Sequence, residues 1–380
     1  MNILHIAPYY APAYVFGGVV SALEGLAQAQ VQQGHSVTVL TTDALTRSER
    51  LAGPLQERRA GVQVVRVPNR LYALRRWNLS SPLGMPAALA ALVPDVIHLH
   101  EFRTVENVLA LPRLRRIPTV LSPHATLRYD TGRGLVKQAW DWLISPRLAP
   151  VIRHIVALTE AEQHEIEQVW RTFAPSVPPL SVIRNGVDVS AFATLPDAAP
   201  FRERYGIGTG VVILFMGRLH ERKGVEILVK AFQQAYLPDT WLVLAGPDEG
   251  MGERLRAIAG DHVILTGFIG GEARLQALRA ADVFVLPAVG EGLSMAVLEA
   301  LAAGLPVILS PGCNLPETEA RGAGLIVSPE QAPLSAALTL LVQDSTRRAT
   351  MGQAAQAWAH SAFAWPGIAA QMTQVYEGIL

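Results

Sequence analysis

The stretch 211-VVILFMGRLHERKG-224 passes from six apolar residues into a charged turn bounded by Gly217 and Gly224. An unbroken apolar run of this length fits a strand in a parallel sheet covered on both faces. The turn then opens a helix. The same unit recurs along the chain. Candidate strands at 2–7, 36–41, 62–67, 95–100, 118–123, 154–159 and 181–184 form one series. Those at 211–216, 241–246, 262–267, 282–287, 306–310 and 324–327 form another. Helical segments lie between them, for example 18–34, which Gly34 stops. Strand–helix alternation occurring twice predicts an α/β chain of two doubly wound, Rossmann-like domains. The break falls in 185-NGVDVSAFATLPDAAPFRERYG-206, which is rich in Pro and Ala. The domains are then 1–186 and 187–362, with a last helix over 363–380 after the break 363-FAWP-366.

Bulk composition agrees. At 380 residues the chain is too long for one core, and 50% hydrophobic residues suffice to bury two. One cysteine, Cys313, excludes an internal disulfide and fits a reducing, cytoplasmic compartment. The start MNILHIAPYY lacks the pattern of a signal peptide, and no apolar run is long enough for a membrane span. Net charge is zero, but residues 1–186 hold 19 Lys and Arg against 13 Asp and Glu. A basic first half fits an anionic substrate or an anionic membrane surface; an unevenly charged, solvated surface fits equally. Neither charge nor motif points to nucleic acid.

In open parallel sheets ligands bind beyond the carboxyl ends of the strands, so with two such sheets the expected site is a cleft that both domains face. After the first strand, Gly17 and Gly18 precede a helix, where bare N–H groups and the helix dipole favour an anion. A plain turn is the alternative. The dinucleotide fingerprint G-x-G-x-x-G is absent, which argues against a dehydrogenase. Arg218 and Lys223 straddle the 217–224 turn, and two cations there suit a diphosphate. A solvated loop is the alternative. The chain has only three lysines, Lys137, Lys223 and Lys230, which makes a Lys in this turn notable.

In 290-GEGLSMAVLEALAAG-304, Ser294 is placed to cap a helix that Gly304 ends. Glu291 then lies in the loop before the helix and Glu299 within it. The neighbours of Glu299 are all apolar, which favours burial over solvent exposure. Carboxylates accept hydrogen bonds from sugar and ribose hydroxyls. His124 also follows a strand, where an isolated histidine is more often structural than functional. His98 and His100 lie on the 95–100 strand and read as structural. No Cys or His group has metal-ligand spacing, and no nucleophile elbow or Walker loop is present.

Taken together, these motifs resemble the retaining glycosyltransferases of family 4, which have the GT-B fold. The resemblance spans nearly the whole chain. Its most specific element is Glu291-x7-Glu299; 183-IRNGVD-188, 243-VLAGPDEG-250, 265-LTGFI-269 and 122-SPHATL-127 support it. The resemblance implies that Arg218 and Lys223 hold a donor diphosphate, approached by the Gly17–Gly18 loop. Glu299 would bind the ribose and Glu291 the sugar hydroxyls. The backbone amides of Gly292, Leu293 and Ser294 would meet sugar or phosphate, the segment around Phe268 the base, and His124 the sugar. Ala125 and Ser294 depart from the family's frequent Gly, or Gly or Pro, at those positions.

A hexose would move from a UDP- or GDP-sugar to a saccharide or lipid-linked acceptor, in exopolysaccharide or cell-envelope glycan synthesis. No cofactor or metal is expected. The last helix would cross back onto the N-terminal domain. The segment 128–148 mixes Arg128, Arg133, Lys137 and Arg147 with Trp140 and Trp142, which suits peripheral contact at the inner membrane surface or sugar stacking as well as ordinary helix packing. The competing readings are a nucleotide-sugar epimerase of the same fold and a non-catalytic nucleotide-sugar-binding protein.

Overall fold

The computed structural model describes residues 1–77, 79–129 and 134–380. The chain divides into two compact units, Met1–Gly186 with Trp365–Leu380, and Val187–Ala364.

The first unit holds β1 (Asn2–Ile6), β2 (Ser36–Thr42), β3 (Gln56–Arg59), β4 (Val62–Val67), β5 (Val96–His100), β6 (Thr119–Ser122), β7 (His154–Ala157) and β8 (Leu180–Val182). They form one sheet in the order β3-β4-β2-β1-β5-β6-β7-β8. All pairings are parallel except β3 with β4. The chain reverses its direction of growth between β1 and β5. In an open sheet that is where a crevice forms at the strands' carboxyl ends.

Alternation along the strands gives this sheet two unlike faces. Leu4, Ile6, Ile97, Leu99, Leu121 and Ile155 join Phe102 and Trp170 in one apolar core. The intervening residues His5, His98 and His100 therefore project to the other face, and His5 stands opposite His98 in register. Helices Gly18–Gln32 and Trp365–Glu377 cover that face, contributing Gln30 and Tyr376 to the histidines. The last helix is anchored by Trp365. A Cβ on Gly25 or on Gly186 would overlap its ring, so both positions need glycine for room.

The second unit holds β9 (Val211–Met216), β10 (Thr240–Ala245), β11 (Val263–Gly267), β12 (Val283–Leu286), β13 (Val307–Leu309) and β14 (Gly324–Ile326). Their order is β11-β10-β9-β12-β13-β14, all parallel. The reversal here falls between β9 and β12. Every residue of β12 and β13 is buried, as expected for central strands covered on both faces.

Two features differ from the sequence expectation. Strand β3 (QERR) was not anticipated, because an edge strand of charged residues carries no apolar signal. The second unit also runs two residues beyond 362. Val187 N–H donates to Phe363 O (2.7 Å), Val187 bridges Ala364, and the Phe363 ring packs on Trp358. The returning segment therefore starts at Trp365, not at 363.

Candidate active site

The turns after β9 and β12 meet at the switch point of the second sheet. Residues Glu221–Lys223 form a short 3-10 turn, and Gly224 follows with φ 68°. A Cβ on Gly224 would strike the carbonyl of Pro287, just beyond β12. Glycine is thus required twice over, for its backbone angle and for the approach. Val289 N–H donates to Arg222 O (2.7 Å), and the Arg222 guanidinium donates to Gly290 O (2.9 Å). Lys223 Nζ then lies 2.6 Å from Glu291 Oε2, and both side chains are mostly shielded. The Glu291 backbone is itself held, donating to Gly312 O (2.8 Å) and accepting from Asn314 Nδ2 (2.5 Å).

Arg218, in the same turn, pairs with Glu249 (2.9 Å) and is about half exposed. A pair this exposed contributes little to stability. The loop carrying Glu249 is set by Asp248, whose Oδ1 accepts from the N–H groups of Gly250, Met251 and Gly252 (2.9 Å each). Those bonds, led by Gly252, hold the Asp248 carboxyl below its usual range. Phe268 is exposed just past β11.

Helix Met295–Ala302 begins after Ser294. Ser294 occupies the cap position with extended backbone, but its hydroxyl makes no capping bond, which corrects the expectation that it would. Leu293 is buried, while Gly292 and Ser294 are partly exposed. Glu299 is buried and ion-paired with Arg274. Burial raises its pKa, opposed by Arg274. The sequence reading missed Arg274. The sequence could show only that Arg274 shares the i, i+3, i+4 face of helix Gly271–Ala280 with buried Ala277 and Leu278, not that it meets Glu299.

In the first unit, Gly17 has φ 106° with open space around it, so the backbone angle alone calls for glycine there. Gly18 starts the helix and is exposed. His124 follows β6. Both it and Ala125 have left-handed φ, 54° and 56°. An Ala at such an angle carries a cost on the order of 1 kcal/mol. Ala125 N–H donates to Glu162 Oε1 (2.5 Å), and Leu158 N–H donates to Oε2 (2.7 Å), so Glu162 clamps the loop. Burial raises the Glu162 pKa to about 7, against those two bonds. Glu101, just past β5 with φ 65°, was also missed; burial raises it to about 7 as well.

His124 Nε2 lies 2.9 Å from His100 Nδ1, so the histidine read as isolated is joined to those read as structural. Nitrogens of His5, His98 and His100 lie within 4.8 Å of one another, a grouping a metal ion could use. Their sequence spacing did not suggest it; the sheet register creates it. Hydrogen bonds among the three, and to Gln30, Tyr376, Ser122 and His124, use the same nitrogens.

The chain matches two family descriptions, "Glycosyltransferase Family 4" over residues 16–191 and "Glycosyl transferases group 1" over 198–358. It belongs to glycosyltransferase family 4. It is similar to a GDP-mannose-dependent alpha-(1-6)-phosphatidylinositol monomannoside mannosyltransferase of Mycolicibacterium smegmatis, 29% identical over 95% of each chain. A glycogen synthase of Mycobacterium tuberculosis is 28% identical over 99% of this chain and 94% of its own. Among solved structures, Anabaena Alr3699/HepE in complex with UDP-glucose superposes with a TM-score of 0.77 over the full length of both chains, at 21% identity. The fold of this glycosyltransferase is GT-B, built from two parallel-sheet α/β domains.

The Glu162 clamp has a pH signature. Its raised pKa means the native state holds a proton that the unfolded chain releases. The sign is therefore a loss of stability as pH rises from 4.5 to about 7. Urea titrations should show wild type losing on the order of 3 kcal/mol relative to Glu162→Gln across that window. A difference independent of pH would contradict the assignment.

Proposed function

We propose that this glycosyltransferase moves a hexose from a UDP- or GDP-sugar to a hydroxyl of a saccharide or lipid-linked saccharide, with retained configuration and without a metal. The Lys223–Glu291 pair at the β9/β12 switch point supports this most directly. It sets a cation for a diphosphate beside a carboxylate for sugar hydroxyls. The Mycolicibacterium relative is named for GDP-mannose, and the Anabaena structure holds UDP-glucose, so both bases stand as candidates.

In the reaction the anomeric carbon–oxygen bond breaks and its electron pair passes to the departing diphosphate. Arg218 and Lys223 stabilise that charge as it develops. The acceptor oxygen bonds the same carbon, and its proton goes to the departing phosphate oxygen. Attack from the face of departure retains configuration. Glu291 is an orienting residue in this scheme: once the diphosphate takes over Lys223, the freed carboxylate accepts hydrogen bonds from the sugar hydroxyls. Glu299 holds the ribose, with Arg274 fixing its carboxylate. The loop around Phe268 meets the base, and the first-turn amides near Gly292, Leu293 and Ser294 meet sugar or phosphate. Gly17 and Gly18 offer a helix N-terminus to the diphosphate, and His124 meets the sugar.

For the acceptor, helix Gly134–Leu143 exposes Leu135, Val136, Trp142 and Leu143. Its basic neighbours are engaged locally. Lys137 donates to the carbonyls of Thr126 and Arg128, and Arg147 to that of Leu143. The surface is therefore more apolar than the sequence implied, and Arg133 lies outside the described residues. Among the described residues no helix is long and apolar enough to cross a membrane. We propose peripheral contact of this helix with an anionic, cytoplasmic membrane face that presents the lipid-linked acceptor, in exopolysaccharide or cell-envelope glycan synthesis.

A thermal-shift panel of UDP-, GDP- and ADP-sugars tests the donor. One nucleotide class should raise the melting temperature with concentration. Arg218→Ala with Lys223→Ala should weaken that donor by at least about tenfold, since hydrogen bonds to charged groups are worth roughly 1.5–3 kcal/mol. An unchanged response in the double variant would contradict the diphosphate site. Cosedimentation with anionic phospholipid vesicles tests the helix. Trp142→Ser with Leu135→Ser should cut binding by roughly tenfold or more. Equal partitioning of variant and wild type would remove the membrane proposal.

A further inference from the structure

The histidine face of the first sheet is a continuous hydrogen-bonded path. Tyr376 OH lies 3.2 Å from Gln30 Nε2, and Gln30 Oε1 lies 2.8 Å from His5 Nε2. His5 Nδ1 is 3.0 Å from His100 Nε2, and His100 Nδ1 is 2.9 Å from His124 Nε2. A branch runs from Tyr376 OH to His98 Nδ1 (2.7 Å) and from His98 Nε2 to Ser122 Oγ (2.8 Å). His124 Nδ1 is shielded from solvent and has no hydrogen-bond partner among the described residues.

Each neutral imidazole has one donor nitrogen and one acceptor nitrogen. That rule fixes every tautomer once one end is fixed. With the Gln30 amide oriented as it is here, Oε1 faces His5 Nε2 and can only accept, so His5 carries its proton on Nε2. His5 Nδ1 is then an acceptor, so His100 carries its proton on Nε2. His100 Nδ1 is in turn an acceptor, so His124 carries its proton on Nε2. What remains at the end of the path is a bare lone pair on His124 Nδ1. The neutral state that the argument requires is favoured by burial. It lowers His5 and His124 to about 4 and holds His98 and His100 well below the usual histidine range.

Turning the Gln30 amide over would reverse every link together. Gln30 Nε2 would donate to His5, and His124 Nδ1 would end as an N–H donor. The Tyr376–His98–Ser122 branch accommodates either direction, because hydroxyls donate or accept. The amide of Gln30, with unlike ends, is the element that selects one direction.

We propose that Gln30 is a positioning residue that fixes His124 in its Nε2–H tautomer through His5 and His100, so that Nδ1 accepts a hydrogen bond from a ligand hydroxyl. The ligand part rests on the sugar-facing reading of His124 above; the tautomer part does not. The path ties the last helix and the first helix to the polarity of one atom at the end of β6.

The test is long-range proton–nitrogen correlation NMR on the full chain with 15N-labelled histidine. At pH 7 wild-type His5, His100 and His124 should each show a pyrrole-type Nε2 and a pyridine-type Nδ1. Gln30→Glu keeps an acceptor facing His5 and should leave His124 unchanged. Gln30→Met removes the fixed end, and His5→Phe cuts the path while keeping a ring. Each folded variant of these two should give His124 as a mixture of tautomers. A wild-type His124 protonated on Nδ1, or a single Nε2–H tautomer persisting in either folded variant, would overturn the proposal. Addition of the donor sugar found by the thermal-shift panel separates the two claims. If the tautomers are as stated but no donor shifts the His124 Nδ1 resonance, the sugar-facing reading fails and the relay stands.

Discussion

The candidate donor site depends on how closely two turns approach each other. Gly224 rests against the Pro287 carbonyl, a contact that no other residue permits, and this brings the turn after β9 onto the turn after β12. Only then can Lys223 reach Glu291. The sheet supplies the other half of the constraint. Because strand order reverses between β9 and β12, their carboxyl ends diverge into helices on opposite sides and leave a crevice for a ligand. In that crevice Lys223 and Glu291 pair with each other. In the proposed function a diphosphate would replace the carboxylate on Lys223, and sugar hydroxyls would replace the ammonium on Glu291.

The first unit solves a different problem. One face of its sheet is an apolar core, and the other carries three fully buried histidines. Buried polar groups are costly unless they are paired, and here His5 pairs with His100 while Gln30, Tyr376, Ser122 and His124 take the remaining ring nitrogens. The Tyr376 hydroxyl, which the last helix brings in, closes that network on the side away from His124. The returning helix is thus part of the polar core of a domain from which its sequence is separated by the whole second unit.

Much of this was legible in the sequence. The apolar runs placed the strands within a residue or two, because fully buried parallel strands need no alternation to be recognised. The turns after 211–216 and 282–287 singled out Arg218, Lys223 and Glu291 against the alternative of a solvated loop; the structure brings Lys223 onto Glu291 and leaves Arg218 about half exposed. What was not legible depended on pairing across the fold. Arg274 sits on a buried helical face, but only the packed helices show that it meets Glu299. His98 and His100 look like core residues until register sets them beside His5 and, through the turn, His124. The charges of segment 128–148 read as a basic surface, yet Lys137 turns inward to backbone carbonyls, a direction that composition does not encode.

The central claim is that Lys223 exchanges Glu291 for a donor diphosphate. Isothermal titration of the nucleoside diphosphate alone into wild type and Glu291→Gln addresses it most directly. Removing the carboxylate frees the ammonium, so the account predicts that Glu291→Gln binds the free nucleoside diphosphate more tightly, by roughly threefold to tenfold, while sugar transfer falls. Weaker binding of the nucleoside diphosphate in Glu291→Gln would contradict it.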